Sequence, residues 1–339
     1  MPEQKKIFSN KPQINISCPS TARMWLVCGC AFLCVLQSSL SDGGRSFIVA
    51  VTALFSALLI ELLLTWRNHG FSRVSDGSTA ATALILTILL PNYIHPFCAA
   101  LGAVFAVAVV KYSFGGLGSN WLNPALGGWL FIRFSWPAAF AKALEGSSSS
   151  ISEMTVSGTS ALDNSVTEFF NNTVFSVTSA RMPSGYIDLL FNNNPGLIAD
   201  RGLFLLLIGT VFITAAGINR GWIPPVFLAV YGFLIRLAGA DGVFWNGDIL
   251  YGFFSGGTIA AAFILAAEPA SGAKLKHGIV FAVFSGAVLS WFFRYKCMEF
   301  SGCFIALAIV NCFTPLIKLA EERIFLSHNN RTGVQENHL

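Results

Sequence analysis

Three acidic residues lie inside or at the ends of long apolar runs of this 339-residue sequence. Glu61 stands between Ile60 and Leu62, and Asp76 and Glu268 lie at the ends of two other runs. A charge at the centre of a bilayer costs about 2.5–3.5 kcal/mol on insertion scales. We therefore expect Glu61 to face a bundle interior, paired or protonated. All three acids are candidates for an ion path. The alternatives are a structural contact at Glu61 and ordinary terminal charges at the other two.

A hydroxyl-rich stretch in the middle of the chain offers a different chemistry. It has the sequence Ser157-Gly158-Thr159-Ser160 and is followed by Ala161-Leu162-Asp163. An accessible hydroxyl can be esterified by a phosphate. Runs of Ser, Gly and Thr are equally typical of linkers, so these residues alone do not decide between the two interpretations.

A glycine-rich segment precedes two asparagines and a proline. It comprises Gly115-Gly116-Leu117-Gly118, Asn120 and Asn123-Pro124-Ala125. The glycines permit backbone conformations that other residues resist, which predicts a tight re-entrant turn. The Lys-Ser/Thr pair of a phosphate-binding P-loop does not follow.

The eight cysteines do not predict a metal centre. Cys28, Cys30 and Cys34 match no usual zinc or iron–sulfur spacing, and most of the others lie in apolar runs. Cysteines in such places pack as small hydrophobic residues. We assign no metal ligand and no catalytic residue.

The composition identifies the elements that must hold these residues. Hydrophobic residues make up 54% of the chain and charged residues only 11%, with a mean hydropathy of +0.64. Soluble proteins carry about 25% charged residues, so a cytosolic enzyme is excluded. No run of like charges suggests a nucleic-acid partner. The sequence therefore predicts an all-α polytopic membrane protein in a lipid bilayer.

Ten apolar runs are candidate spans. They cover residues 22–40, 46–66, 77–92, 96–112, 121–136, 202–217, 222–239, 249–267, 277–293 and 301–319. They predict an N-terminal segment (1–20), a first five-helix half (21–136), a connecting loop (137–201), a second five-helix half (202–320) and a tail (321–339). The bias of Lys and Arg beside the spans predicts cytoplasmic termini and an extracytoplasmic loop.

Two halves of five spans each must enter the membrane from opposite faces, which predicts an inverted repeat. The third span opens Asp76-Gly77-Ser78-Thr79-Ala80-Ala81 and ends at Pro91. The eighth carries Ser255-Gly256-Gly257-Thr258-Ile259-Ala260-Ala261 and ends before Pro269. Small residues are common in membrane helices, so chance is the alternative explanation of this similarity.

The chain from about residue 20 to residue 320 resembles the membrane D subunit of Rnf electron-transport complexes. That family is related to the B subunit of the sodium-pumping NADH:quinone reductase. The most specific match is Gly115-Gly116-Leu117-Gly118 with Asn123-Pro124-Ala125. Further matches are Glu61, Asp76, Ser78, Thr82, Pro91, Lys111, Asn120, Ser135, Pro137, Trp222-Ile223-Pro224, Ser255-Gly256, Thr258, Pro269, Ser271, Asn311 and Pro315-Leu316.

The resemblance implies a cofactor for the hydroxyl-rich stretch. Members of this family carry FMN covalently, through a phosphoester that a flavin transferase installs. Ser160 falls on the acceptor position, with Thr159, which replaces the usual Ala, as the alternative; Ser157 and Gly158 complete the motif. The resemblance also implies a second, non-covalent flavin (riboflavin or FMN), the other subunits of an Rnf-type complex as partners, and the bacterial inner membrane as location.

Two functions are compatible with these observations. The first is a membrane subunit of an ion-translocating ferredoxin:NAD oxidoreductase, with FMN as an electron relay coupled to Na⁺ or H⁺ movement. The second is a secondary transporter or channel with a five-plus-five inverted repeat and no redox group. Bound flavin distinguishes the two.

Overall fold

The computed structural model describes residues 20–66, 75–113, 116, 120, 122–145, 161–173, 184–191, 196–238, 245, 247–269, 271–273 and 275–336. These residues form helices, and the one β pairing among them is an isolated bridge between Pro91 and Leu197. The predicted all-α class is confirmed for this part of the chain. The hydroxyl-rich stretch Ser157-Gly158-Thr159-Ser160 lies outside the described residues.

The first half contains five helical elements that coincide with the predicted runs. They are α1 (Ser20–Ser41), α2 (Arg45–Thr65), α3 (Ser78–Leu89), α4 (Pro96–Phe105, continued by a π-helical segment Ala106–Lys111) and α5 (Pro124–Ser135). Pro96 and Pro124 occupy first-turn positions, where the missing N–H removes no hydrogen bond. α2 packs against α3 and α4, so residues on these three helices meet in one core.

The described residues of the segment expected as a loop form four short helices. These are α6 (Pro137–Glu145), α7 (Ala161–Thr173), α8 (Tyr186–Phe191) and α9 (Ile198–Arg201). The Asp163 carboxylate on α7 accepts hydrogen bonds from the backbone N–H groups of Gly185 (2.6 Å) and Ile187 (3.0 Å) at the start of α8. Gln37 of α1 donates to the Leu190 carbonyl at 3.4 Å. Part of the segment is therefore hydrogen-bonded to α1.

The second half contains elements at all five remaining predicted runs. They are α10 (Leu203–Ala215), α11 (Ile223–Leu237), α12 (Ile249–Phe254), α13 (Thr258–Ala260, continued by a π-helical segment Ala261–Leu265), α14 (Lys276–Trp291, continued by a π-helical segment Phe292–Lys296) and α15 (Gly302–Glu336). The eighth run is thus broken between α12 and α13. The helix in the tenth run extends past its predicted end at residue 319.

Within the part of the chain that the structure describes, four helices are long and apolar enough to cross a bilayer: Thr21–Ser41, Arg45–Thr65, Lys276–Lys296 and Gly302–Glu321. Shorter apolar helices lie at Ser78–Leu89, Pro96–Lys111, Leu203–Ala215 and Ile223–Leu237. The long helices keep an apolar exposed surface, as Phe55 and Leu63 on α2 show. A large apolar surface on helices of this length is what a lipid environment requires. The chain is a multi-pass membrane protein.

Candidate functional site

A buried ion pair joins α2 to the end of α4. The Lys111 Nζ atom lies 2.8 Å from Glu61 Oε1, and both side chains are almost fully buried. The Tyr112 hydroxyl donates to the same carboxylate oxygen at 2.9 Å. Glu61 Oε2 is buried and has no hydrogen-bond partner among the described residues. The expectation that Glu61 is paired inside the bundle is confirmed.

Lys111 also binds the start of α3. Its Nζ atom donates to Ser78 Oγ at 2.8 Å and to Thr79 Oγ1 at 2.5 Å. Gly77, with φ +72°, turns the chain just before these hydroxyls, a conformation in which glycine lacks the Cβ penalty. We call Glu61, Ser78, Thr79, Lys111 and Tyr112 the Lys111 cluster. Asp76, predicted as a candidate, is half-buried at this turn.

A second buried cation lies in the other half, at the end of α14. Arg294 is 1% exposed. Its Nη1 atom donates to the Ser255 carbonyl at 2.5 Å and to Thr258 Oγ1 at 3.0 Å, and its Nη2 atom donates to Ser255 Oγ at 2.5 Å. Arg294 therefore holds the break between α12 and α13.

Asp200 contacts the same break through backbone N–H groups. Its carboxylate accepts the backbone N–H groups of Gly256 (3.0 Å) and Gly257 (2.7 Å) and is 1% exposed. Both glycines have φ +68°. Successive N–H groups in such a turn form a concave anion-binding site, which Asp200 fills. We call Asp200, Ser255, Thr258 and Arg294 the Arg294 cluster.

A cavity of about 230 Å³ lies where elements of the two halves meet. Its walls are mostly apolar, with a few polar groups among them, the composition typical of small-molecule sites. Ser78 and Lys111 of the Lys111 cluster border it, whereas Arg294 does not. The other lining residues are Arg23, Met24, Val27, Ala81, Thr82, Ile85, Asn120, Asn123, Pro124, Ala125, Ile213, Ile218, Asn219, Ile264, Glu268 and Pro269.

Glu268 connects the halves at the edge of this cavity. Its Oε2 atom accepts hydrogen bonds from Asn123 Nδ2 at 2.7 Å and from Ser271 Oγ at 2.8 Å. Asn123 is also the N-cap of α5, where its Oδ1 atom accepts the Leu126 N–H at 3.1 Å. The Asn-Pro-Ala sequence thus starts α5 and presents an amide to Glu268.

The central segment adds one titratable pair. The Tyr186 hydroxyl donates to Asp248 Oδ2 at 2.7 Å, which joins α8 to the start of α12. Burial, followed by the contact with Asp248, raises the pKa of Tyr186 above its usual value. The phenol therefore stays protonated and remains a donor at neutral pH.

The structure connects predicted residues with others that the sequence analysis did not select as sites. Glu61 lies in one cluster and Glu268 at the cavity. Lys111, Asp200 and Arg294 were missed as site residues, and Arg294, which follows the ninth apolar run, is buried. The sequence does contain a pattern that could have indicated Lys111 and Arg294 as site residues. Each is followed by a tyrosine, and the dipeptides Lys111-Tyr112 and Arg294-Tyr295 lie at or near the ends of the fourth and ninth runs.

Comparison with known proteins identifies relatives of the whole chain. The NQR2, RnfD, RnfE family matches residues 7–325. The chain is 26% identical over 318 residues to the D subunit of a proton-translocating ferredoxin:NAD(+) oxidoreductase complex from Clostridium ljungdahlii, covering 93% of this chain and 94% of the relative.

Two further relatives have similar names. The D subunit of a Na(+)-translocating ferredoxin:NAD(+) oxidoreductase complex from Acetobacterium woodii is 29% identical over 256 residues, 74% of each chain. The D subunit of an ion-translocating oxidoreductase complex from Yersinia pseudotuberculosis is 27% identical over 309 residues, 81% of this chain and 85% of that one. Because the family match extends over almost the entire sequence, the chain belongs to the NQR2, RnfD, RnfE family.

Proposed function

We propose that this protein is a membrane subunit of an ion-translocating ferredoxin:NAD oxidoreductase of the Rnf type. The observation that carries this proposal is the family match over residues 7–325, with relatives named as the D subunits of such complexes. The other subunits of the complex are its partners, and the chain is not catalytic alone. Na⁺ or H⁺ is the coupling ion, since relatives of both kinds match.

We further propose covalent FMN at Ser160, with Thr159 as the alternative acceptor. α7 begins at Ala161, the next residue. The N-terminus of a helix favours a phosphate group through its free N–H groups and dipole. When bound, the flavin supplies an electron relay, and the protein contributes its position and electrostatics. A flavin transferase installs it.

The cavity of about 230 Å³ is our proposed site for the second, non-covalent flavin. An isoalloxazine is flat and apolar on its faces and carries carbonyl oxygens and ring nitrogens at its edges. The apolar walls suit the faces. Lys111, Asn120, Asn123 and Asn219 provide polar groups for the edges.

The three acids remain candidates for the ion path, with different support. Glu268 borders the cavity and forms no salt bridge with a described residue. Glu61 keeps one buried carboxylate oxygen without a partner, although Lys111 neutralises the other. Asp76 is half-buried. We therefore rank Glu268 first, because a carboxylate without a paired cation binds a cation or proton most readily.

We also propose ten transmembrane helices arranged as two five-helix inverted repeats, with both termini cytoplasmic in the bacterial inner membrane. Two matched features support this arrangement. Helix α3 follows Gly77 and helix α13 follows Gly257, both with positive φ. Each half also has a π-helical segment at a Lys-Tyr or Arg-Tyr pair. The segment Ala106–Lys111 ends at the first residue of Lys111-Tyr112, and Phe292–Lys296 contains Arg294-Tyr295.

Flavin fluorescence in a denaturing gel tests the covalent FMN. The full chain is expressed with a flavin transferase, together with Ser160→Ala, Thr159→Ala and the control Ser165→Ala. Ser165 is an exposed hydroxyl on the first turns of α7. We expect a fluorescent band in the wild type, Thr159→Ala and Ser165→Ala, and a dark band in Ser160→Ala. A dark wild-type band beside a fluorescent acceptor protein from the same cells would contradict covalent FMN and favour the transporter.

A second measurement tests the flavin in the cavity. In the Ser160→Ala background, the purified native chain should retain flavin that denaturation releases. Thr82→Phe fills the cavity and should abolish that retention. Thr52→Phe is the matched control, because both threonines are half-buried helix residues and Thr52 does not line the cavity. Equal retention in the two variants would refute this location.

A further inference from the structure

Helix α7, which follows the proposed flavin acceptor Ser160, contacts the rest of the molecule from one side. Its buried residues are Asp163 and Thr167, which lie one turn apart. Leu162 and Phe169, on other faces of the helix, are 58% and 61% exposed. Among the described elements, α7 packs mainly against α8, and α8 packs against α9, α10 and α12. The position of α7 therefore depends on its contact with α8.

Asp163 makes the polar part of this contact. Its side chain is fully buried, and both of its carboxylate oxygens are used. Oδ2 accepts the Gly185 N–H at 2.6 Å, and Oδ1 accepts the Ile187 N–H at 3.0 Å. Charge-assisted hydrogen bonds of this kind are about twice as strong as those between neutral groups. Two such bonds to the start of α8 fix both the distance and the orientation of α7.

α8 is hydrogen-bonded in turn to both halves of the membrane bundle. The Tyr186 hydroxyl donates to Asp248 Oδ2, at the start of α12, at 2.7 Å. Gln37 of α1 donates to the Leu190 carbonyl at 3.4 Å, and its Oε1 atom accepts the Leu205 N–H of α10 at 2.8 Å. A continuous set of contacts thus leads from Asp163 through α8 to α1, α10 and α12. Whatever α7 carries is held relative to both halves.

We propose that Asp163 is a positioning residue for the covalent flavin. Through α8 it fixes the distance and orientation of the flavin-bearing helix relative to the membrane bundle. This inference rests on the proposed attachment of FMN at Ser160, three residues before Asp163. A protein contributes to flavin chemistry by placing the cofactor, and a site is only as precise as the contacts that support it.

Hydrogen exchange of the full chain in detergent, measured by mass spectrometry, tests the Asp163 contact without any flavin. Asp163→Ala removes both acceptors, so the backbone amides of residues 184–191 should exchange at least about tenfold faster. Thr167→Val is the matched control. Thr167 is buried on the same side of α7, and its hydroxyl has no hydrogen-bond partner among the described residues. It should exchange as the wild type does, and wild-type exchange in Asp163→Ala would overturn the proposal.

Time-resolved fluorescence anisotropy of the covalent flavin tests the positioning itself. In the wild type and Thr167→Val the flavin should move with the bundle and keep a high residual anisotropy. In Asp163→Ala this residual should fall at least about twofold, because α7 then moves separately on the nanosecond timescale. Asp163→Asn keeps one acceptor oxygen and should give an intermediate value. Unchanged anisotropy in Asp163→Ala would leave Asp163 with a structural role only and overturn the proposal.

A nitroxide label reports the same motion in a variant that takes up no flavin. It is attached at Ser165→Cys, an exposed position on α7, in a chain whose Cys18, Cys297 and Cys312 are replaced by serine. The label should become more mobile in Asp163→Ala but not in Thr167→Val. Absence of flavin from the wild-type chain would overturn the proposed cofactor and this role with it. The exchange of residues 184–191 distinguishes that failure from a failure of the Asp163 contact.

Discussion

The Lys111 and Arg294 clusters each place a cation from a π-helical segment against the first hydroxyls of a helix that follows a left-handed glycine. They differ in how the charge is balanced. Lys111 contacts the Glu61 carboxylate directly, whereas Asp200 binds the backbone N–H groups of Gly256 and Gly257 rather than Arg294. One half therefore uses an ion pair, and the other uses two separately anchored charges.

Their surroundings differ as well. Ser78 and Lys111 border the cavity between the halves, but Arg294, which donates to backbone and hydroxyl oxygens, does not line it. A lysine has three donors on a flexible stem, whereas the planar guanidinium of arginine fixes several partners at once. The Lys111 cluster is thus suited to a site at which a ligand or ion arrives, and the Arg294 cluster to a structural junction.

The largest expected effect is at the ion pair. Lys111→Met leaves the buried Glu61 without its cation and should lower the free energy of unfolding by about 3–5 kcal/mol. Adding Glu61→Gln removes the stranded charge and should recover most of that loss. Denaturant titration in detergent micelles measures both variants. A double variant as unstable as Lys111→Met would show that Lys111 does not stabilise the protein by neutralising Glu61.

Arg294→Met should cost less, about 2–3 kcal/mol, because it leaves neutral oxygens unpaired rather than a lone charge. Here a second substitution, Asp200→Asn, should not rescue stability, because Asp200 keeps its own bonds to the two glycine amides. The same titration tests this. Rescue as large as that at Glu61 would mean that both clusters work as ion pairs and would remove the distinction between them.

The two left-handed glycines provide a matched pair of smaller effects. Alanine at either position costs about 1–2 kcal/mol for its backbone conformation. A Cβ on Gly257 would also overlap the Phe304 ring, whereas on Gly77 it would lie 3.1 Å from the Trp25 ring. Gly257→Ala should therefore destabilise the chain by about 1 kcal/mol more than Gly77→Ala. Equal melting temperatures would argue against the tighter packing around Gly257.

The smallest effect is expected at the partly exposed ion pair Arg133–Glu299, at 3.0 Å, with side chains 24% and 22% exposed. Arg133→Met should cost below about 1 kcal/mol, because solvent screens the pair. This variant sets the baseline for the two buried clusters. A loss equal to that of Lys111→Met would show that solvent exposure does not determine how much these interactions contribute to stability.

Much of the fold follows from the apolar runs, since a helical element occupies each of the ten. Glu61 could be predicted as paired or protonated, because an unpaired charge in that position is too costly. Lys111 could not be assigned as its partner, since the two are 50 residues apart and meet only through packing of α2 on the α4 segment. The burial of Arg294 could not be predicted, because a charged residue at the end of an apolar run is typical of a membrane boundary.

The π-helical segment before Lys111 has a consequence for insertions and deletions. A π turn holds one residue more than an α turn, as though a single residue had been inserted into a finished helix. Deleting one residue before Lys111 within this segment would restore an ordinary helix and leave Lys111 close to its present direction. Converting the segment into an α-helix with all its residues kept would instead turn Lys111 about 100° around the axis, away from Glu61. The π turn therefore sets the direction of the cation as much as the identity of residue 111 does.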